Sequence, residues 1–294
     1  MRRRGLLPLG VAVMATLLTA GGVARAQHAA DGGQATIGPA KTGAASIGDE
    51  SYWALGKSRL FVSSTIDIGY LYFRPQIAIG YGKPHWSWIG AELSPAITNS
   101  SALEYAGFHA ASRYLDLRVG GRYVFSFSHR LLEPKASYSR EDIDTRAGSP
   151  SRYVALNGEV SFSLPLPVGG LFGIASAYGI LGVPAGKYVF EEALHTVVKP
   201  AFLARGRLGY AFKFGDITLG AFGEVIENPG RGQPTVRVGP TAGLQISDHL
   251  DLFATFAFVV TGPDTSGLTG GDLGTLGVRY RWASGESVPL YLIP

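Results

Sequence analysis

Residues 201–214 read AFLARGRLGYAFKF, and this stretch decides the fold. Phe202, Ala204, Gly206, Leu208, Tyr210, Phe212 and Phe214 hold one parity, while Arg205, Arg207 and Lys213 hold the other. A period of two places successive side chains on opposite faces of a β-strand. The pattern continues to Trp282. Ile217, Leu219, Ala221 and Val225 interleave with Asp216, Thr218 and Glu224, and Val236, Val238, Ala242, Leu244 and Ile246 interleave with Thr235, Arg237, Thr241 and Gln245. Leu250, Leu252, Ala254, Phe256, Phe258 and Val260 stand opposite Asp251 and Thr255. Strands of about ten residues with one apolar face, separated by turns, are the pattern of a membrane-spanning β-barrel. One face meets lipid and the other a polar lumen.

The same alternation extends back to Arg59. It predicts strands over Arg59–Gly82 (interrupted by Pro75), Trp86–Leu93, Leu103–Ala111, Leu115–Ser128, Pro134–Ser139, Arg152–Leu164, Leu171–Leu181, Pro200–Phe214, Asp216–Glu227, Thr235–Ser247, His249–Val260 and Leu273–Trp282. The fold class is therefore all-β, a transmembrane antiparallel up-and-down barrel of about twelve strands. Counts of ten and fourteen stay open. Connections alternate in the C-terminal half. Leu166–Gly169, Gly215 and Asp248 are short, whereas Val183–Lys199, Asn228–Pro234 and Thr261–Asp272 are long. Short periplasmic turns facing longer outer loops is the usual asymmetry of such barrels.

Ahead of the barrel, Arg2–Arg4, an apolar run from Gly5 to Thr19 and Ala24-Arg25-Ala26 form a secretory signal peptide over residues 1–26, cleaved between Ala26 and Gln27. Its removal takes four of the 26 basic residues and none of the 22 acidic ones, so the formal charge falls from +4 to zero. The basic pI belongs to the signal, and a nucleic-acid partner loses its support. Residues 27–58, rich in Gly, Ala and Thr, read as a flexible periplasmic leader. The absence of cysteine excludes disulfides, thiolate metal sites, cysteine nucleophiles and a lipid-modified cysteine anchor. No cofactor is expected.

The last strand, Thr275-Leu276-Gly277-Val278-Arg279-Tyr280-Arg281-Trp282, resembles the C-terminal assembly signal of bacterial outer-membrane β-barrel proteins. The matching positions are Gly277, Tyr280 and Trp282. The tail at 283–294 departs from the pattern, since members of that class end on the terminal aromatic. The resemblance implies a porin-like barrel in the bacterial outer membrane, in contact with lipid and lipopolysaccharide and handled by the barrel-assembly machinery.

Parity puts Asp67, Asp116, Arg118, Arg122, Glu159, Arg205, Arg207, Lys213, Glu224, Arg237, Asp251, Arg279 and Arg281 on the lumen side. The reading is a water-filled, mildly anion-favouring pore for small solutes, with Arg205, Arg207, Arg237, Arg279 and Arg281 forming one basic wall. Internal salt bridges that block the lumen are the competing outcome, because a narrow barrel is filled by its own side chains. Aromatic residues near strand ends, Trp88, Tyr72, Tyr123, Phe212, Tyr280 and Trp282 among them, read as an interfacial girdle. An envelope-lipid enzyme would need Ser and His together. His109 with Ser112 and Ser128 with His129 are neighbours in sequence, but no recognised nucleophile or metal motif contains them. Asp142 and Asp144 in a charged loop are weak candidates for bridging a divalent ion, and His85 reads as a turn residue.

Overall fold

The computed structural model describes residues 52–69, 72–98, 101–127, 131–139, 142, 151–191, 194, 196–263 and 273–285. Twelve long strands build the body: β1 (Arg59–Gly69), β2 (Tyr72–Lys83), β3 (Ser87–Thr98), β4 (Ser101–Ala111), β5 (Leu115–Ser126), β6 (Ser151–Pro165), β7 (Gly170–Leu181), β10 (Phe202–Phe214), β11 (Ile217–Glu227), β12 (Thr235–Gln245), β13 (Leu250–Thr261) and β14 (Leu273–Ala283). Two short ones, β8 (Val189–Glu191) and β9 (Thr196–Val198), form a separate hairpin between β7 and β10. Each long strand pairs antiparallel with its neighbours, and β1 closes on β14, so the sheet is a barrel without edges.

The two faces separate as the alternation requires. Outward residues include Leu60, Ile79 and Phe214, which keep 79%, 63% and 61% of their surface. Inward neighbours of the same strands, Ser63, Asp67, Ala78 and Ala211, are buried. A soluble protein does not surround itself with such a belt of exposed apolar side chains. Closed strands satisfy every backbone group internally, so this surface belongs in lipid.

The strand count of twelve is correct, but two of the predicted elements are not. Arg59–Gly82 is two strands, β1 and β2, which pair with each other from Arg59↔Gly82 to Gly69↔Tyr72. The sequence there, Gly69-Tyr70-Leu71-Tyr72, carries no cluster of turn-forming residues, so the alternation runs on through it. Pro75 lies inside β2 instead of dividing it. The β2–β3 register runs Tyr72↔Thr98 and Phe73↔Ile97, then resumes at Ile77↔Leu93. The register stays in phase across the gap, so Pro75 and Pro95 stand opposite each other there, and the interruption is the pair of ladder bonds that their missing N–H groups cannot make. Conversely, Pro134–Ser139 is loop. Only Leu132 makes a bridge, to Tyr188.

Seen along its axis, the barrel has a turn end and a loop end. The connections 84–86, 112–114, 166–169, 215–216 and 246–249 lie at the turn end, together with Arg59 and Ala283. Gly215, at φ +62°, makes the tight reversal between β10 and β11 possible. At the loop end the described part of the β7–β10 connection folds into the opening. All six residues of β8 and β9 are buried. Val189, Leu194 and Val198 pack against Val124, Tyr153, Ala155, Tyr178, Ile180, Leu203 and Ile226, which come from the inner face of β5, β6, β7, β10 and β11. The hairpin therefore sits inside the ring. Above it, Leu132, Tyr138, Phe190 and Val197 form a second apolar cluster. Arg231 ties it to the β11–β12 loop, donating to the Lys135 carbonyl (2.9 Å) and stacking over the Tyr138 ring.

Candidate functional site

The lumen wall is organised by cross-strand registers. Gln245, Asp251, Arg279, Asp67 and Arg74 stand in one row across β12, β13, β14, β1 and β2. Charge alternates along it from Asp251 onward. Arg279 donates through Nε and Nη2 to the two oxygens of Asp67 at 2.5 and 2.9 Å, and Arg74 donates to the same carboxylate. This fork crosses the β1–β14 seam that closes the ring. Next along β14, Arg281 donates to Asp251.

A second group lies on β10, β11 and β12. Glu224 is fully enclosed and receives Arg205 (Nε, 2.7 Å), Arg207 (Nε, 3.0 Å) and Arg237 (Nη1, 3.4 Å). Three guanidiniums on one carboxylate leave this wall positive. The same Arg237 Nη1 also donates to the Leu194 carbonyl of the inner hairpin (2.7 Å). The five arginines thus form two groups, each built around its own carboxylates, instead of one continuous basic wall. Burial of a guanidinium without a partner costs several kcal/mol, on the order of the penalty for any desolvated ion. That is the reason for the pairing.

Arg122 belongs elsewhere. It meets Glu191 of β8 at 2.8 Å, and the Tyr153 hydroxyl donates to the same carboxylate. These contacts fasten the hairpin to β5 and β6. On β3, β4 and β5, His109 lies between Glu92 (Nδ1, 2.5 Å) and Asp116 (Nε2, 2.8 Å), with Arg118 3.4 Å from Asp116. Ser112 is not part of this group. Its hydroxyl donates to the Leu115 carbonyl and accepts from the Leu115 N–H, closing the β4–β5 turn. The Ser112 hydroxyl is thus engaged by its own turn while His109 is held by the two carboxylates, and Ser128 and His129 lie outside the described residues. Asp142 caps Ser139 through its backbone and side chain; Asp144 lies outside the described residues. No group of three metal-ligating residues occurs among the described residues.

Between these walls is a cavity of about 300 Å³. Its lining reaches from His85, Arg113 and Tyr114 at the turn end to Arg74 and Arg205, and takes none of the described residues of the loop-end connections. The Arg74 side chain keeps 48% of its surface and that of Arg118 32%, so water reaches this part of the lumen. Trp88 also lines it. It is 8% exposed and its ring lies 4.2 Å from that of His109, tilted by 55°, so it points inward and is not part of the girdle. Tyr72 likewise lies on the inward parity of β2, opposite Gly69. Tyr123, Phe212, Tyr280 and Trp282 face outward and are more than two-fifths exposed, as a girdle requires.

The terminal strand places Tyr280 and Trp282 on the outer face and Gly277 on the inner one. A Cβ on Gly277 would stand 2.8 Å from the Phe253 ring and 2.9 Å from the Tyr72 hydroxyl, so the position admits no side chain without movement. Ala26 and Gln27, the expected cleavage site, lie outside the described residues, as does the tail from 286.

One contact at the turn end had no signal in the alternation. The 3-10 turn Tyr52–Ala54, within the stretch expected to be leader, docks on the barrel. Trp53 is 4% exposed. Its indole N–H donates to the Asp248 carbonyl (2.9 Å), and its ring packs 4.5 Å from His85 and 5.1 Å from His249. His85, at φ +57°, donates through Nε2 to the Trp282 carbonyl (2.9 Å). Burial pushes its pKa down to about 3, with Arg281 and His249 adding to the effect. A histidine held neutral in the docked state contributes fully above its ordinary pKa, and that contribution is lost as pH falls from about 6.5 toward 3. Acidification across this window is expected to release Trp53, read as a fluorescence shift that the Trp53→Phe variant lacks. An unchanged spectrum down to pH 3 would contradict the assignment.

A closed twelve-strand barrel with an apolar outer belt and a charged, water-reached interior is a transmembrane β-barrel. No protein-family model and no curated protein matches the chain. Solved structures similar to it are bacterial outer-membrane barrels. The NanC porin is 10% identical, with a TM-score of 0.36 over 78% of this chain and 100% of that one. The KdgM porin, described in complex with disordered oligogalacturonate, is 8% identical, with a TM-score of 0.36 over 75% and 98%. Omp33 of Acinetobacter baumannii is 9% identical, with a TM-score of 0.34 over 77% and 98%. At this distance the likeness is one of barrel architecture, and no solute is carried over from it.

Proposed function

We propose that the protein is a porin-like barrel of the bacterial outer membrane that admits small solutes to a guanidinium-lined lumen. The cavity of about 300 Å³ carries this reading. A barrel kept only for its outer surface has no need of a water-reached interior lined by Arg74, Arg118, Arg205, Arg279 and Arg281. The turn end faces the periplasm and the loop end the exterior, in line with the usual asymmetry of connection lengths. Lipopolysaccharide surrounds the upper belt, and the Gly277/Tyr280/Trp282 strand is the segment offered to the assembly machinery.

The test is electrical. Purified, folded protein in a planar bilayer is expected to show a small conductance that prefers anions. Arg207→Gln with Arg279→Gln is expected to move the reversal potential toward cations, since each change removes one positive charge from the wall. A second reading is favoured by the inner hairpin: Arg237 to Leu194 and Arg122 to Glu191 tie it across the ring, as in a barrel with a sealed lumen. A folded protein with no conductance at any voltage would remove the pore reading and leave that one.

A further inference from the structure

We propose that the cavity is a binding site for a small organic anion with an apolar body, reached from the turn end. The proposal rests on the lumen being a wet solute compartment. Three observations carry it. Access comes first: the lining includes the turn-end residues His85, Arg113 and Tyr114, while among the described residues the loop end is filled by the inner hairpin. Tyr114 at that end is 41% exposed.

The second observation is the charge presented to the cavity. Arg74, Arg113, Arg118, Arg205, Arg279 and Arg281 line it. The carboxylates that balance most of them, Asp67, Glu92, Glu224 and Asp251, do not. They lie in the wall, committed to their guanidiniums and to His109. The cavity surface is therefore richer in cations than the barrel as a whole. Arg281 is 3% exposed and committed to Asp251, so the guanidiniums within reach of a ligand are those of Arg74 and Arg118, whose side chains keep 48% and 32% of their surface. A guanidinium that keeps accessible N–H groups offers charge-assisted hydrogen bonds that an anionic oxygen accepts best. Asp116 and Glu159 also line the cavity, and Asp116 is already held by His109 and Arg118.

The third is the facing wall. Phe172 and Ile174 on β7 line the cavity five strands round the twelve-strand ring from Arg279 and Arg281 on β14. A flat apolar body fits against that side while a carboxylate or phosphate meets the guanidiniums. A volume of about 300 Å³ is at the small end of ligand sites and excludes a polymer lying wholly within it.

The experiment uses the folded barrel in detergent and three probes, followed by calorimetry: terephthalate, inorganic phosphate, and benzyltrimethylammonium as a cation with the same ring. Terephthalate is expected to bind saturably, phosphate more weakly, and the cation not at all. Arg74→Gln and Arg113→Gln are each expected to weaken terephthalate roughly tenfold, the worth of one charge-assisted contact. Neither leaves a carboxylate bare, because Asp67 keeps Arg279. Should either fail to fold, Ser161→Glu puts an opposing charge on the cavity wall and is expected to abolish binding. Equal or tighter binding of the cation would overturn the proposal in favour of an acidic site at Asp116 and Glu159. Terephthalate binding unchanged in the variants would overturn it as well. A barrel that conducts but does not bind terephthalate refutes this site alone, whereas one that binds without conducting refutes the pore reading alone.

Discussion

Replacing residues 187–199 by a short Gly-Ser link is expected to raise the single-channel conductance severalfold, the largest functional change a single edit should produce. The hairpin is an inclusion in the lumen, not part of the wall. Its removal deletes no strand of the ring and leaves the β7–β10 ladder, from Phe202↔Gly179 to Ala211↔Gly170, in place. What it takes away is the apolar filling made by Val189, Leu194, Val197 and Val198, the Glu191 carboxylate held by Arg122 and Tyr153, and the Leu194 carbonyl held by Arg237. Arg122 and Arg237 are then solvated by the water that replaces the hairpin, so folding survives. Glu191→Gln tests the fastening alone and is expected to make the current flicker instead of opening fully. If the deleted form folds and conducts no better than wild type, the obstruction lies elsewhere and the hairpin is not the constriction.

Asp67→Ala is expected to cost the barrel about 3 kcal/mol of folding free energy, measured by urea titration in a lipid or detergent system that refolds reversibly. This is the lower end of the cost of breaking a buried pair. Arg74, with 48% of its side-chain surface, can turn to water, but Arg279, at 13%, cannot. The same carboxylate sits on the seam where the last strand meets the first, so its loss should also slow assembly. Asp67→Leu combined with Arg279→Met removes both ions and is expected to restore most of the stability, because the desolvation term goes with them. Equal damage from the single and the double variant would show that the fork is not what holds the seam.

Much of this was legible in the chain. The alternation of Phe202 to Phe214 and of Leu250 to Val260 assigns each residue to lipid or lumen because a pleat leaves no third choice. It fails where the physics changes. Gly69 and Tyr72 pair across two strands although the sequence between them has no turn-forming residue, and the parity of Tyr72 is carried over to the wrong face. Pro134–Ser139 imitates a strand but pairs with nothing. Val189–Glu191 and Thr196–Val198 are buried on both faces and only three residues long, so period two is not visible in them. The arginines could be assigned to the lumen side by parity, yet their partners could not. Arg279 and Asp67 are 212 residues apart and become neighbours only because the barrel closes. The alternation carried no sign of Trp53, whose site is made by turns and not by strands.

That last contact orders events in time. The Trp53 pocket is assembled from the β2–β3 turn, the β12–β13 turn and the end of β14, which means from the first and last parts of the barrel sequence at once. Until the two ends have met there is nothing for the indole to enter. Burial of Trp53 is therefore expected to follow ring closure, and its fluorescence to report the final step of insertion. A chain that stalls with β14 unpaired should leave Trp53 in water however many of the other strands have already formed.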